Sequence, residues 1–181
     1  MGFRRVVTGH ASDGKSVIVA DEFVSSIDFG RGAAIDMVWS VDAGAVVPND
    51  GAPGRAEKWF PDPGGMRVIV LRYQPAGEPP APPSEDLPDM GLTATYESGR
   101  RGVHTSDTID IGVILSGELW LELDDGVATR LTVGDVVIQN GTRHRWQNRS
   151  EQPTTMLGVV IGATRRAESG PGSSTAGGAE G

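Results

Sequence analysis

The sequence contains no cysteine, which removes disulfides, thiolate metal sites and cysteine nucleophiles together, so any metal must rest on nitrogen and oxygen donors. Histidine is scarce too, with three in 181 residues, and each one therefore needs an account. No run of about 18 apolar residues is present to cross a bilayer. The start, Met1-Gly2-Phe3-Arg4-Arg5-Val6, lacks the apolar stretch of a signal peptide. These absences predict a cytoplasmic protein with no membrane partner. Basic residues are outnumbered, 16 against 24 acidic, for a net charge of -8. With no basic stripe to offset that charge, nucleic acid is not an expected partner. Long helical periodicity and internal repeats are also missing.

What is present is a series of short strands with dense punctuation. At this length one domain with a substantial core is the expectation. Arg4 to Val7, Ser16 to Ala20, Ala34 to Val41 and Met66 to Tyr73 are rich in Val and Ile and bounded by Gly, Asp or Pro, the pattern of strands. Both faces of Met66–Tyr73 are apolar, as in a strand between two layers or at a subunit contact. Asp42 to Gly65 reads as a loop. Gln74 to Gly91 holds six prolines, which bars a hydrogen-bonded ladder and predicts an extended arm or lid. After Ala163 the composition falls to Gly, Ser and Ala, and residues 166–181 are expected to form a disordered tail.

The most informative stretch runs from Gly102 to Asn148. If residues 103 to 115 form a strand, alternation puts His104, Ser106, Thr108 and Asp110 on one face and Asp107 on the other. Gly117 then ends the strand. A second strand, Leu119 to Leu123, turns at Asp124-Asp125-Gly126 and returns through Thr129 to Leu131. Val133-Gly134-Asp135 turns again, Val136 to Ile138 follows, and Asn140-Gly141 leads to a strand on which His144, Trp146 and Asn148 share a face. Two successive hairpins thus return His144 beside His104 and Asp110. The third histidine, His10, sits in a turn-rich stretch and reads as a surface residue. Trp39, Trp59 and Tyr96 read as packing residues, and Glu118, Glu122, Asp124 and Asp125 as an acidic, solvated hairpin.

These residues resemble the two motifs of the cupin superfamily. In the first motif His104 takes the first histidine position, Ser106 stands where the second histidine is usual, Asp110 replaces the glutamate and Gly117 closes the motif. In the second, Gly134, Gly141, His144 and Asn148 match, while Gln139 stands where proline is usual. The resemblance covers the C-terminal third of the chain.

The resemblance implies an all-β fold, an antiparallel double-stranded β-helix or jelly-roll barrel with extra N-terminal strands. It would fill residues 1–165 as one domain, with a metal-motif core over 99–163 and the proline-rich arm over 74–91. It implies a metal site on His104, Asp110 and His144 holding Fe, Mn, Ni, Co or Zn, with Asp110 and His144 catalytic. Ser106, Thr108, Arg143, Trp146 and Asn148 are the expected lining of a substrate pocket. The favoured function is a metal-dependent enzyme of small-molecule metabolism, a lyase or isomerase using the metal as a Lewis acid. The substrate class is a carbonyl or carboxylate compound, or an aromatic or polyketide-like one. An Fe(II) dioxygenase and a non-catalytic small-molecule-binding protein are the alternatives. A homodimer is the expected assembly.

Overall fold

A computed structural model describes residues 2–28, 33–52, 54, 56–75 and 90–166. Most of the proline-rich arm and all of the tail beyond Arg166 lie outside the described residues. The described chain is built from strands: β1 (Arg4–His10), β2 (Ser16–Phe23), β3 (Ile27–Asp28), β4 (Ala33–Val41), β5 (Met66–Tyr73), β6 (Thr108–Ser116), β7 (Glu118–Glu122), β8 (Ala128–Thr132), β9 (Val136–Gln139), β10 (Arg145–Gln147) and β11 (Thr154–Gly162). The helical content among these residues is two short 3-10 turns, so no described helix is long and apolar enough to cross a membrane.

Strand pairing is antiparallel throughout. One sheet runs β3-β4-β5-β11-β6-β9, a second runs β10-β7-β8, and β1 and β2 form a separate hairpin. This is the expected antiparallel barrel of two layers with extra N-terminal strands. β11 lies between β5 and β6 and alternates buried and half-buried residues along its length. Ile69, Ile35, Trp59 and Val160 form one apolar cluster, and Ile114, Leu119 and Met156 another. Leu71 packs against both. Burying side chains of this size supplies roughly 1.5–3 kcal/mol each, the main drive for closing the two layers.

Gly117 makes the turn between β6 and β7 possible. Its φ is +72°, and a Cβ there would lie 2.7 Å from Thr154 Oγ1 and 2.8 Å from the Pro153 carbonyl oxygen. Only glycine fits both the left-handed backbone and the close approach. Thr154 Oγ1 then donates to the Glu118 carbonyl at 2.6 Å and accepts from the Glu118 N–H at 3.2 Å, which ties the start of β11 to the start of β7.

The strand expected over residues 103 to 115 is shorter than alternation suggested. β6 begins at Thr108, and the chain bends at Asp107. His104 lies before that bend in an isolated bridge, paired with Tyr96 on one side and His144 on the other. Strand alternation therefore does not carry from Asp110 back through Ser106 to His104, and those residues need not share a face.

Candidate active site

The two layers enclose a cavity of about 100 Å³. Its walls are mostly apolar, from Ile69, Leu71, Trp146, Met156 and their neighbours, and its charged or titratable lining includes His104, Asp110, His144 and Tyr73. The main chain brings the two histidines together. His104 N–H donates to the His144 carbonyl at 2.9 Å and His144 N–H donates to the His104 carbonyl at 3.0 Å. Their rings lie 4.2 Å apart between centroids.

Each imidazole is held by its Nδ1. That of His104 is 3.1 Å from the Gly102 carbonyl oxygen, and that of His144 is 2.9 Å from the Thr142 carbonyl oxygen. A carbonyl can only accept, so both rings carry their proton on Nδ1 and leave Nε2 with a lone pair. Gln139, at the end of β9, donates through Nε2 to the same Thr142 carbonyl at 2.9 Å, and that nitrogen lies 3.1 Å from His144 Nδ1. Gln139 thus fixes the carbonyl that fixes the ring. Burial lowers the pKa of both histidines, to about 4 for His144, where the neighbouring His104 adds to the effect and the Thr142 carbonyl opposes it. Both are neutral at physiological pH, the form that binds metals.

Asp110 sits on β6 opposite Gln139 in register. Burial pushes its carboxyl from the ordinary 3.8 up to about 6, against the opposing effect of a hydrogen bond from the Thr108 side chain. Its Oδ1 is buried without a hydrogen-bond partner. Such an atom costs free energy unless something in the working protein satisfies it.

The sequence-derived site is only partly gathered. Among the described residues, no three His, Asp or Glu side chains converge closely enough to hold a metal ion. His104 and His144 come together as a pair, and Asp110 lines the same cavity without joining them. Of the five residues expected to line the pocket, Trp146 does so, its ring edge-on to His144 at 5.7 Å. Ser106 does not line the cavity: it borders a separate groove, and its hydroxyl is buried 2.7 Å from Thr108 Oγ1. Thr108 is buried against Ser106. Arg143 is spent on Glu97 and Asp124 outside the cavity. Asn148 donates to the Tyr73 and Gln152 carbonyls and caps the turn at Ser150. Gln139, Tyr73 and Tyr96 are lining residues that sequence reasoning did not assign to the pocket. The pairing of Gln139 with Asp110 becomes visible only once the β6–β9 register is known.

Fold and site together define a two-layer antiparallel β-barrel with a small polar centre inside an apolar cavity. Residues 93–160 match the family model described as Cupin_2, the cupin domain, which supports the resemblance read from the sequence. Among curated proteins, Phomopsin biosynthesis cluster protein C' of Diaporthe leptostromiformis is 40% identical over 90 residues, covering 48% of this chain and 46% of that protein. The cupin-domain-containing oxidoreductase srdB of Neurospora crassa is 24% identical over 165 residues, 87% of this chain and 72% of that protein. The chain spans about half the length of the first of these relatives. Among solved structures, an RmlC-like cupin from Shewanella frigidimarina aligns with a TM-score of 0.44 at 14% identity, covering 77% of this chain and 85% of that one. A cupin 2 conserved barrel domain protein from Salinispora arenicola aligns with a TM-score of 0.40 at 17% identity, over 76% and 82%.

Proposed function

We propose that this chain is an enzyme that moves a proton on a small carbonyl-bearing metabolite, a lyase or isomerase in which Asp110 takes and returns the proton. The supporting observation is a single one: a buried carboxyl, with one oxygen unpartnered, in the wall of an otherwise apolar cavity beside two neutral imidazoles. A carboxyl whose pKa lies near 6 is close enough to neutrality to serve as base and then as acid. The cavity, about 100 Å³, is small beside ordinary ligand pockets, so it takes a compact metabolite or the reacting end of a larger one.

His104 and His144 are the residues we assign to a divalent metal. The test of fit is their donor chemistry: each ring is anchored through Nδ1 to a backbone carbonyl, which leaves two Nε2 lone pairs of the kind that Fe, Mn, Ni, Co and Zn accept. Asp110 is assigned to proton transfer and not to ligation. A divalent cation held by the two rings supplies Lewis acidity toward a substrate carbonyl. Trp146, Leu71 and Met156 exclude water, which strengthens the influence of the charged groups on bound substrate.

A second reading is an oxidoreductase. It is favoured by the Neurospora crassa relative, a cupin-domain-containing oxidoreductase by name, which aligns over 87% of this chain.

Deuterium exchange separates the two. Wild-type protein and Asp110→Asn, each supplied with Fe(II), Mn, Co, Ni or Zn, are incubated in D2O with a panel of β-keto acids and aromatic ketones and followed by NMR. The expected result is deuterium at the carbon next to the carbonyl with wild type and its loss in Asp110→Asn. Exchange undiminished in Asp110→Asn overturns the reading. Oxygen consumption without exchange supports the oxidoreductase instead.

A further inference from the structure

The two sheets differ in what they show on the outside. In the three-stranded sheet Trp146 points into the cavity, so alternation turns Arg145 outward, and with it Glu122, its register partner on β7. Glu122 pairs with Arg145, and Glu118, on the same face of β7, pairs with Arg130 of β8. That face is built for water.

The six-stranded sheet is different over β11, β6 and β9. Gly112, Gly158 and Val160 line the cavity, so their strand neighbours point away from it. Among these, Ile111 stands between Val159 and Ile138, and Val113 between Leu157 and Val136. Ile109 and Ile161 add a further row. No ionisable side chain interrupts these rows. In the single chain Val136 is 59%, Ile138 53% and Ile109 41% exposed. An antiparallel sheet with one face in water alternates apolar and polar residues, whereas these strands are apolar on both faces, as strands covered on both sides are.

We propose that the outer face of β11, β6 and β9 is the contact between two copies of this chain, packed sheet against sheet about a two-fold axis. It gives a surface to the homodimer expected from the sequence, and it rests neither on the metal assignment nor on the role of Asp110.

A second copy is the occupant that fits. Contact about a two-fold axis sets a patch against itself, so any charge on it would meet a like charge. This face carries none. On the β4 side the same sheet face is already covered by the chain's own N-terminal segment: Arg5 Nη1 donates to the Val38 carbonyl at 3.0 Å, and the Arg72 guanidinium lies 5.2 Å from the centre of the Phe3 ring. Val70, on that part of the face, is 1% exposed. Strands about 4.8 Å apart and about 3.3 Å long per residue make the face of β5, β11, β6 and β9 on the order of 500 Å2. Two copies would then bury about 1,000 Å2, the size at which a specific interface becomes stable. Gly112 and Gly158 are paired across β6 and β11, so the partner would pack directly behind the cavity wall.

Sedimentation equilibrium on the whole chain over a range of concentrations tests this. Wild type should associate to a dimer. Ile138→Glu and Ile109→Glu should each weaken association at least about hundredfold, because the symmetry sets two new charges into one apolar contact, with the circular dichroism of the barrel retained. Val127→Glu is the control, an apolar residue 61% exposed at the turn before β8, and should associate like wild type. A monomeric wild type overturns the proposal, and so does a dimer that survives both substitutions. A dimer broken by Ile138→Glu alone is joined through the free edge of β9 and overturns it equally. If the glutamate variants do not fold, thiol labelling decides, without background in a chain that has no cysteine. Ile138→Cys should react with a maleimide more slowly as protein concentration rises, and Val127→Cys at a constant rate. A rate independent of concentration at residue 138 overturns the contact.

Discussion

His104 and His144 exchange a pair of main-chain hydrogen bonds, at 2.9 and 3.0 Å, and their rings lie 4.2 Å apart between centroids. The spacing of the imidazoles is set by backbone and not by side-chain packing. Replacing either ring should accordingly leave the bridge intact while removing a donor. His104→Gln and His144→Gln are each expected to weaken Co(II) or Zn(II) binding by at least about tenfold, read by calorimetry, with the circular dichroism of the barrel retained. Wild-type affinity in both variants would remove the pair as a metal site.

Asp110 and His144 pull stability in opposite directions as pH changes. Asp110 titrates near 6 in the fold against an ordinary 3.8, so its contribution is complete below 3.8 and is lost as pH rises through 6. His144 titrates near 4 against an ordinary 6.5, so its contribution is complete above 6.5 and is lost as pH falls toward 4. Each amounts to about 2–3 kcal/mol, and between these limits they largely offset one another. Asp110→Asn should raise stability at pH 7 and leave the protein more sensitive to acid than wild type. Urea unfolding at about pH 7 and about pH 5 checks this; an equal shift at both would show that the Asp110 carboxyl is not perturbed.

Ser106→His restores a histidine at the position where the family motif usually has one. Because residue 106 borders a groove separate from the cavity, the substitution should not tighten metal binding. An imidazole in a site 4% exposed overfills it, and a loss of about 1–3 kcal/mol in unfolding free energy is expected. Tighter binding of Co(II) would put residue 106 inside the cavity and refute the described course of the chain.

Gln139 acts on His144 through the Thr142 carbonyl they share. Gln139→Leu keeps the approximate volume and removes the amide that donates to Thr142. The expected result is a metal affinity about 10–100-fold weaker, with Gln139→Asn restoring little because its shorter side chain cannot reach. An affinity unchanged in Gln139→Leu would mean that the ring is oriented by its own bond to Thr142 alone.

Most of the strands were legible because Val- and Ile-rich runs stand between Gly, Pro and Asp punctuation. Met66–Tyr73 was placed to the residue, since its two apolar faces match a strand inside a sheet. β11 was not singled out, although it is the strand between β5 and β6. Its Thr154–Gly162 run has two glycines and no turn dipeptide ahead of it, and its place depends on pairing with distant strands. The convergence of His104 and His144 was readable from two hairpins in sequence. The positions of Ser106 and Asp110 relative to them were not, because one bend at Asp107 resets the alternation on which that geometry relied. Gln139 shows the same limit: its role needs the β6–β9 register, which no local pattern encodes.

The double main-chain bridge between His104 and His144 also makes the site a fastener. The two residues lie far apart in sequence and meet only when every strand between them has paired, so an ion gripped by both rings ties those two points of the chain together. In an unfolded chain the same rings are rarely neighbours, and loop-closure entropy opposes their meeting. Any ion that binds the pair should therefore raise the melting temperature in proportion to the logarithm of its concentration, by about 3 kcal/mol of added stability at a hundredfold excess over Kd. Ranking metals by that rise would identify the resident ion before any reaction is known.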